Sequence, residues 1–233
     1  MEEMEKLVSE LKKLGNPKKA KASSWFFKTG KGQYGEGDVF LGVTVPEQRK
    51  IAKNFFSLSI SEIQKLLDSE IHEARLTGLL ILVSQYKKTD DRNKKKIVNF
   101  YLKNSKKINN WDLVDSSAPY ILGDYLLKNN RGILYKYVRS KNLWQRRISI
   151  VSTMALISKG HFDDTLRVST LLLTDKEDLI HKAVGWMLRE VGKKSENTLE
   201  NFLLENVSIM PRTTLRYAIE RFSEQDRKKF LNM

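Results

Sequence analysis

The chain has 233 residues, with 42 Lys+Arg against 28 Asp+Glu and a formal net charge of +14. It contains no cysteine, which excludes disulfides, thiolate nucleophiles and Cys-ligated zinc. The basic excess is spread along the chain and not confined to a tail, which directs attention to polyanions: DNA, RNA or an acidic membrane surface.

In chain order, Met1 to Lys13 is charged and amphipathic, with Leu7, Leu11 and Leu14 at helical spacing and no apolar signal-peptide core. Pro46 and Glu47 open a helix that carries Ile51, Phe55 and Phe56. Ile63, Leu66 and Leu67 predict a short helix, and Leu76, Leu79, Leu80 and Val83 a longer one. Ile97, Phe100, Tyr101 and Ile108 continue the series. Pro17, Pro46, Pro119 and Pro211 all fall at plausible helix starts. The one strand-like run, Val39 to Val45, is too short and isolated to support a sheet. No apolar run approaches the roughly 18 residues that span a bilayer, so no membrane association is expected and the protein is expected in the cytoplasm. The loops are short, and residues 1–233 read as a single domain.

The long irregular segment, Thr29 to Asp38, contains Gly30-Lys31-Gly32-Gln33-Tyr34-Gly35. This satisfies G-x-G-x-x-G, but no strand precedes it and no helix opens after it, so the dinucleotide-binding context is absent. As a loop, it offers Lys28, Lys31 and Tyr34 to a nucleic-acid backbone or groove.

The longer helices align on a basic residue followed by apolar ones: Ala74-Arg75-Leu76, Arg146-Arg147-Ile148, Lys182-Ala183-Val184 and Leu215-Arg216-Tyr217. Arg75 to Arg147 is 72 residues, Arg147 to Lys182 is 35, and Lys182 to Arg216 is 34. The first step is two repeats, and the skipped unit falls near Trp111. This period predicts an all-α chain, an α-solenoid of HEAT-like helical repeats. Stacked repeats would set Arg75, Arg147, Lys182 and Arg216 along a basic concave face, suited to following a phosphate backbone.

Three segments carry residues suited to chemistry. Trp111 and Asp115 are four apart and share a helix face, with Asp112 about 100° away. Trp144 and Arg147 share a second face, and Lys182, Trp186 and Arg189 a third. Each tryptophan keeps charged company where a core face would be apolar. His72, His161 and His181 form no i, i+4 pair, so no metal is expected.

Trp111-x-x-x-Asp115, Trp144-Gln145-Arg146-Arg147 and Gly185-Trp186-Met187-Leu188-Arg189-Glu190 resemble the AlkD family of DNA alkylation repair glycosylases. So do Phe40-Leu41-Gly42-Val43-Thr44-Val45-Pro46 and Leu122-Gly123-Asp124, and the ordered set spans most of the chain. The resemblance implies HEAT-like repeats, and excision of positively charged N3- and N7-alkylated purines from duplex DNA while the base stays stacked. It assigns Asp115 as the catalytic aspartate, Trp111 and Trp186 as the active-site tryptophans, and Arg147 as the active-site arginine, with Arg146 the adjacent alternative. The Gly-rich stretch from Thr29 to Gly37 is longer than in the best-known members.

These readings converge on a monofunctional DNA glycosylase of base excision repair. It is expected to need no metal, no organic cofactor and no obligate protein partner, and to act as a monomer. Arg75, Arg146, Lys182, Arg189, Arg216, Lys28 and Lys31 are the expected DNA-binding cations. The rival readings are a non-enzymatic solenoid that recognises bent or branched DNA, and a HEAT-like protein-binding scaffold.

Overall fold

In a computed structural model that describes residues 3–233, the chain is all-helical, and among the described residues no strand forms. Met1 and Glu2, where the amino-terminal amphipathic stretch begins, lie outside the described residues. Two compact units, Met1–Ser117 and Ala118–Met233, are taken in turn.

The first unit runs α1 (Glu3–Lys13), α2 (Pro17–Phe26), α3 (Val45–Asn54), α4 (Ile60–Leu67), α5 (His72–Lys88), α6 (Asp91–Lys103) and α7 (Trp111–Asp115). The predicted periodicities become its core: Leu7 and Leu11 of α1, Ile63, Leu66 and Leu67 of α4, and Leu76, Leu79 and Val83 of α5 are all buried. Ile108 is buried as well, but beyond the end of α6. Helix starts follow their capping chemistry. Asn16 caps α2 ahead of Pro17, and Thr44 with Glu47 forms a capping box at α3.

The strand-like run Val39 to Val45 stays extended without a sheet. Val39 makes one isolated bridge to Ile71. Beyond it, the backbone N–H groups of Leu41, Gly42 and Val43 all donate to the buried carboxylate of Glu73, the shortest at 2.8 Å from Gly42. Gly42 sits at φ +81°, and a Cβ there would lie 2.3 Å from the Asn16 carbonyl oxygen. Glycine is therefore required at that corner.

The second unit opens on a π-helical turn, Pro119–Gly123, followed by α8 (Asp124–Leu126), α9 (Gly132–Tyr137), α10 (Leu143–Ser152) and α11 (Met154–Ser158). It continues with α12 (Asp163–Leu172), α13 (Asp178–Gly192), α14 (Glu196–Asn206), α15 (Arg212–Ala218) and α16 (Glu224–Leu231). All four prolines stand at helix starts, Pro119 and Pro211 among them. Helix α13 is the centre of this unit, with Ala183, Val184, Met187 and Leu188 buried. Gly185 lets α15 approach it: a Cβ would meet Tyr217 Cβ at 2.5 Å and Thr214 O at 2.6 Å. Gly123 plays the same part against the Ser152 carbonyl, at 2.3 Å.

Candidate functional site

Helix α7 carries two carboxylates and a tryptophan on five residues, and the first unit holds it by its polar groups. Asn110, fully buried, accepts the Trp111 N–H at 2.8 Å and donates through Nδ2 to Asp38 at 3.3 Å. Asp112 accepts the Leu113 N–H at 2.8 Å with one carboxylate oxygen and faces His72 Nε2 at 2.8 Å with the other. The opposite ring nitrogen of His72, Nδ1, lies 3.0 Å from Asp38, and Arg75 donates to Asp38 at 2.6 Å.

His72 is 2% exposed and lies between two carboxylates. An ionised carboxylate only accepts, so both ring nitrogens must donate, and only the imidazolium has two N–H groups. Burial opposes that charge, yet the hydrogen bonds to Asp112 and Asp38 outweigh it and raise the His72 pKa to about 9. Burial likewise works against ionised Asp38, but the His72 hydrogen bond and the Arg75 charge hold its pKa below the ordinary carboxylate value.

A run of rings lies beside this chain of charges. Phe40 stacks on His72 with centroids 4.5 Å apart, Phe27 stacks on Phe40 at 5.0 Å, and Phe27 stacks on Trp111 at 5.2 Å. Phe26 meets the edge of Trp111 at 6.0 Å. Trp111 is thus tied to His72 twice, through the backbone at Asp112 and through the Phe27 ring. Asp115, half-exposed, lies one turn beyond Trp111 on the same helix face.

Helix α2 buries none of its residues, and it ends in Trp25 and Phe26, 76% and 56% exposed. Lys28 sits over the Trp25 ring at 5.2 Å. Lys28 and Lys31 are both exposed. The Gly-rich segment is a series of turns, in which Gln33 caps the Gly30 N–H and Glu36 the Gly32 N–H.

In the second unit Trp186 is half-exposed on α13, whereas Trp144 is buried in the core. Arg147 is 5% exposed and donates to the Leu179 carbonyl. Arg146 makes a forked pair with Asp175, at 2.6 and 3.3 Å. Arg189 pairs with Glu220 and Lys182 with Asp178, while Arg216 is exposed. In the first unit Arg75 is turned inward, donating to the carbonyls of Ser69 and Glu70 as well as to Asp38.

The aligned basic positions all fall in the second turn of their helices or at its start. Arg75 is the fourth residue of its helix, and Arg147, Lys182 and Arg216 are each the fifth of theirs. Asp115 is likewise the fifth residue of α7, and Trp111 is the helix's first.

A family model for DNA alkylation repair enzymes matches residues 7–222. The chain belongs to that family. Solved structures of similar fold include a "Predicted DNA alkylation repair enzyme from Enterococcus faecalis", at 18% identity over 90% of this chain and 97% of that one, with a TM-score of 0.71. AlkD2 from Streptococcus mutans is similar at 17% identity, 95% and 99% coverage and a TM-score of 0.60. The protein smu.31 from Streptococcus mutans UA159 follows at 18% identity, 77% and 93% coverage and 0.56. No curated protein matches the chain significantly.

Sequence reasoning found α7 but not its anchor. No local pattern points from α7 to Asp38, His72 or Phe27, because the partners of His72 lie 34 and 40 residues along the chain. Among the described residues, no group of three or more His, Asp or Glu side chains is placed to hold a metal ion. No helix among them is long and apolar enough to cross a membrane.

Proposed function

We propose that this member of the DNA alkylation repair family is a DNA glycosylase that hydrolyses the N-glycosidic bond of cationic N3- and N7-alkylated purines in duplex DNA. The observation that carries the reading is the state of α7. Its Asp112 is engaged by His72, while Asp115 shares the face of Trp111 on a helix pinned at its start.

The reaction asks little of the protein beyond charge and position. Alkylation makes the purine a cation, so heterolysis of the C1′–N bond returns the electron pair to the ring and releases a neutral base. The sugar is left as an oxocarbenium ion. Asp115 stabilises that cation and takes the proton of the water that attacks C1′, so the products are the free base and an abasic site. One carboxylate suffices because the leaving group arrives activated, unlike glycosides, which use two. A tryptophan face favours the cationic base by about 0.5–2 kcal/mol. Trp111 takes that part, and by resemblance so does Trp186. By resemblance the phosphate beside the lesion falls to Arg147, which would leave the Leu179 carbonyl to reach it, or to its neighbour Arg146, which would exchange Asp175 for it.

Exposed Lys28, Lys31 and Arg216 and half-exposed Lys182 are the cations proposed to meet other phosphates. Arg189 joins them by exchanging Glu220 for phosphate. Arg75 serves instead by holding Asp38. A single HEAT-like domain over residues 1–233, a monomeric state and a cytoplasmic site of action belong to the same proposal. Asp115→Asn is expected to abolish excision and leave duplex affinity nearly intact. An equal loss of both would make Asp115 a structural residue.

A further inference from the structure

The Asp38–His72–Asp112 chain is buried, crosses three segments of the first unit and takes no part in bond cleavage as written above. Its charges nonetheless decide how α7 is held. With His72 protonated, two carboxylates balance one imidazolium and the Arg75 guanidinium. With His72 neutral, the cluster carries a net negative charge out of water, and one carboxylate faces a bare ring nitrogen. Breaking a buried charge pair in this way is strongly unfavourable. The relief available to the fold is to let go of the less deeply buried end, which is Asp112 on α7, its side chain 12% exposed against 3% for Asp38. Asp38 is held independently by Arg75 and Asn110.

We propose that His72, as an imidazolium bonded to both carboxylates, is a positioning residue that sets the attitude of α7, and with it Trp111 and Asp115, so that loss of this one proton disables the site in a chain that remains folded. The proposal rests on Asp115 as the reacting carboxylate. The charged groups that face His72 are Asp38 from the preceding loop, Arg75 from its own helix and Asp112 from α7. The other neighbours, Phe27 and Phe40, present rings without charge. Those rings supply the second route, since Phe27 lies between His72 and Trp111.

The test is a pH titration of the wild-type protein by NMR, following the His72 ring nitrogens and the Trp111 indole N–H from about pH 6 to about pH 10. Release of free base from methylated duplex DNA is measured in parallel. Both ring nitrogens are expected to carry protons at neutral pH. The Trp111 signal is expected to move with the midpoint of His72, and base release to fall about 10- to 100-fold across the same midpoint. His72→Gln, which reaches one carboxylate at most, is expected to have a lower and flatter alkaline limb with the KM for DNA unchanged. Asp38→Asn serves as the second variant, with its midpoint shifted to lower pH. A single protonated nitrogen at neutral pH, or a Trp111 signal that stays flat while His72 titrates, overturns the proposal whether or not base is released. A Trp111 signal that follows His72 with no release at any pH upholds the coupling and counts against the glycosylase reading alone.

Discussion

Phe27 lies flat against Trp111, with ring planes 12° apart and centroids 5.2 Å apart. An offset aromatic pair of this kind contributes about 0.5–1.5 kcal/mol beyond its area, and here it fixes the plane of the tryptophan proposed to face the lesion. Phe27→Ala is expected to lower single-turnover base release by about tenfold through misplacement, with duplex affinity changed far less. Rate and affinity measured on the same substrate check this.

Stability should depend on pH through His72. Its pKa in the folded chain is about 9 against an ordinary 6.5. A group raised in this way contributes stability that is fully present below about pH 6.5 and is lost as pH rises through about 9. Asp38, lowered from 3.8, acts in the opposite sense: its contribution is present above that value and is lost as pH falls. Urea unfolding across this range should show a stability plateau in mildly acidic buffer and a decline on the alkaline side. His72→Gln should remove the alkaline decline.

The Glu73 carboxylate closes the corner at Leu41, Gly42 and Val43. Glu73→Ala would strand N–H donors that are wholly or partly buried, each costing about 1–3 kcal/mol. Gly42→Ala would force a side chain into a positive-φ corner against the Asn16 carbonyl, at a cost above about 1 kcal/mol. Both variants should lower the melting temperature, Glu73→Ala by more.

These two residues also show where the sequence stops being legible. Helix positions were readable because they depend on neighbours three or four apart and on caps a few residues away, as at Thr44 and Glu47. The extended stretch at Val39 to Val45 was readable as strand-like, but its hydrogen-bond acceptor is Glu73, about 30 residues on. The partners of His72 stand 34 and 40 residues away on either side. No local pattern encodes such pairings. The inward turn of Arg75 and Arg147 was hidden for a related reason. An arginine reads as a surface residue, and only tertiary packing reveals the carbonyls that receive it. The Trp111–Asp115 face was legible because both residues lie on one short helix.

Gly185→Ala addresses the motif Gly-Trp from a different side. The added methyl would meet Tyr217 and the Thr214 carbonyl, and overpacking of this kind costs about 1–3 kcal/mol. Thermal unfolding should report the loss, and activity should fall with it if Trp186 is displaced along α13.

Binding to duplex DNA should weaken steeply with salt, because each phosphate neutralised releases counterion. Removing Lys31 or Arg216 singly should reduce the log–log salt slope by about 1. A slope unchanged in both variants would take these cations off the DNA-facing surface.

The most direct test is detection of free 7-methylguanine and 3-methyladenine released from methylated duplex DNA by the wild-type protein and by Asp115→Asn, with chelator present throughout. Release by the wild type and none by the variant is the predicted result. No release by either protein, in spite of tight binding to the same duplex, would contradict the account and leave a chain that binds DNA without cutting the glycosidic bond.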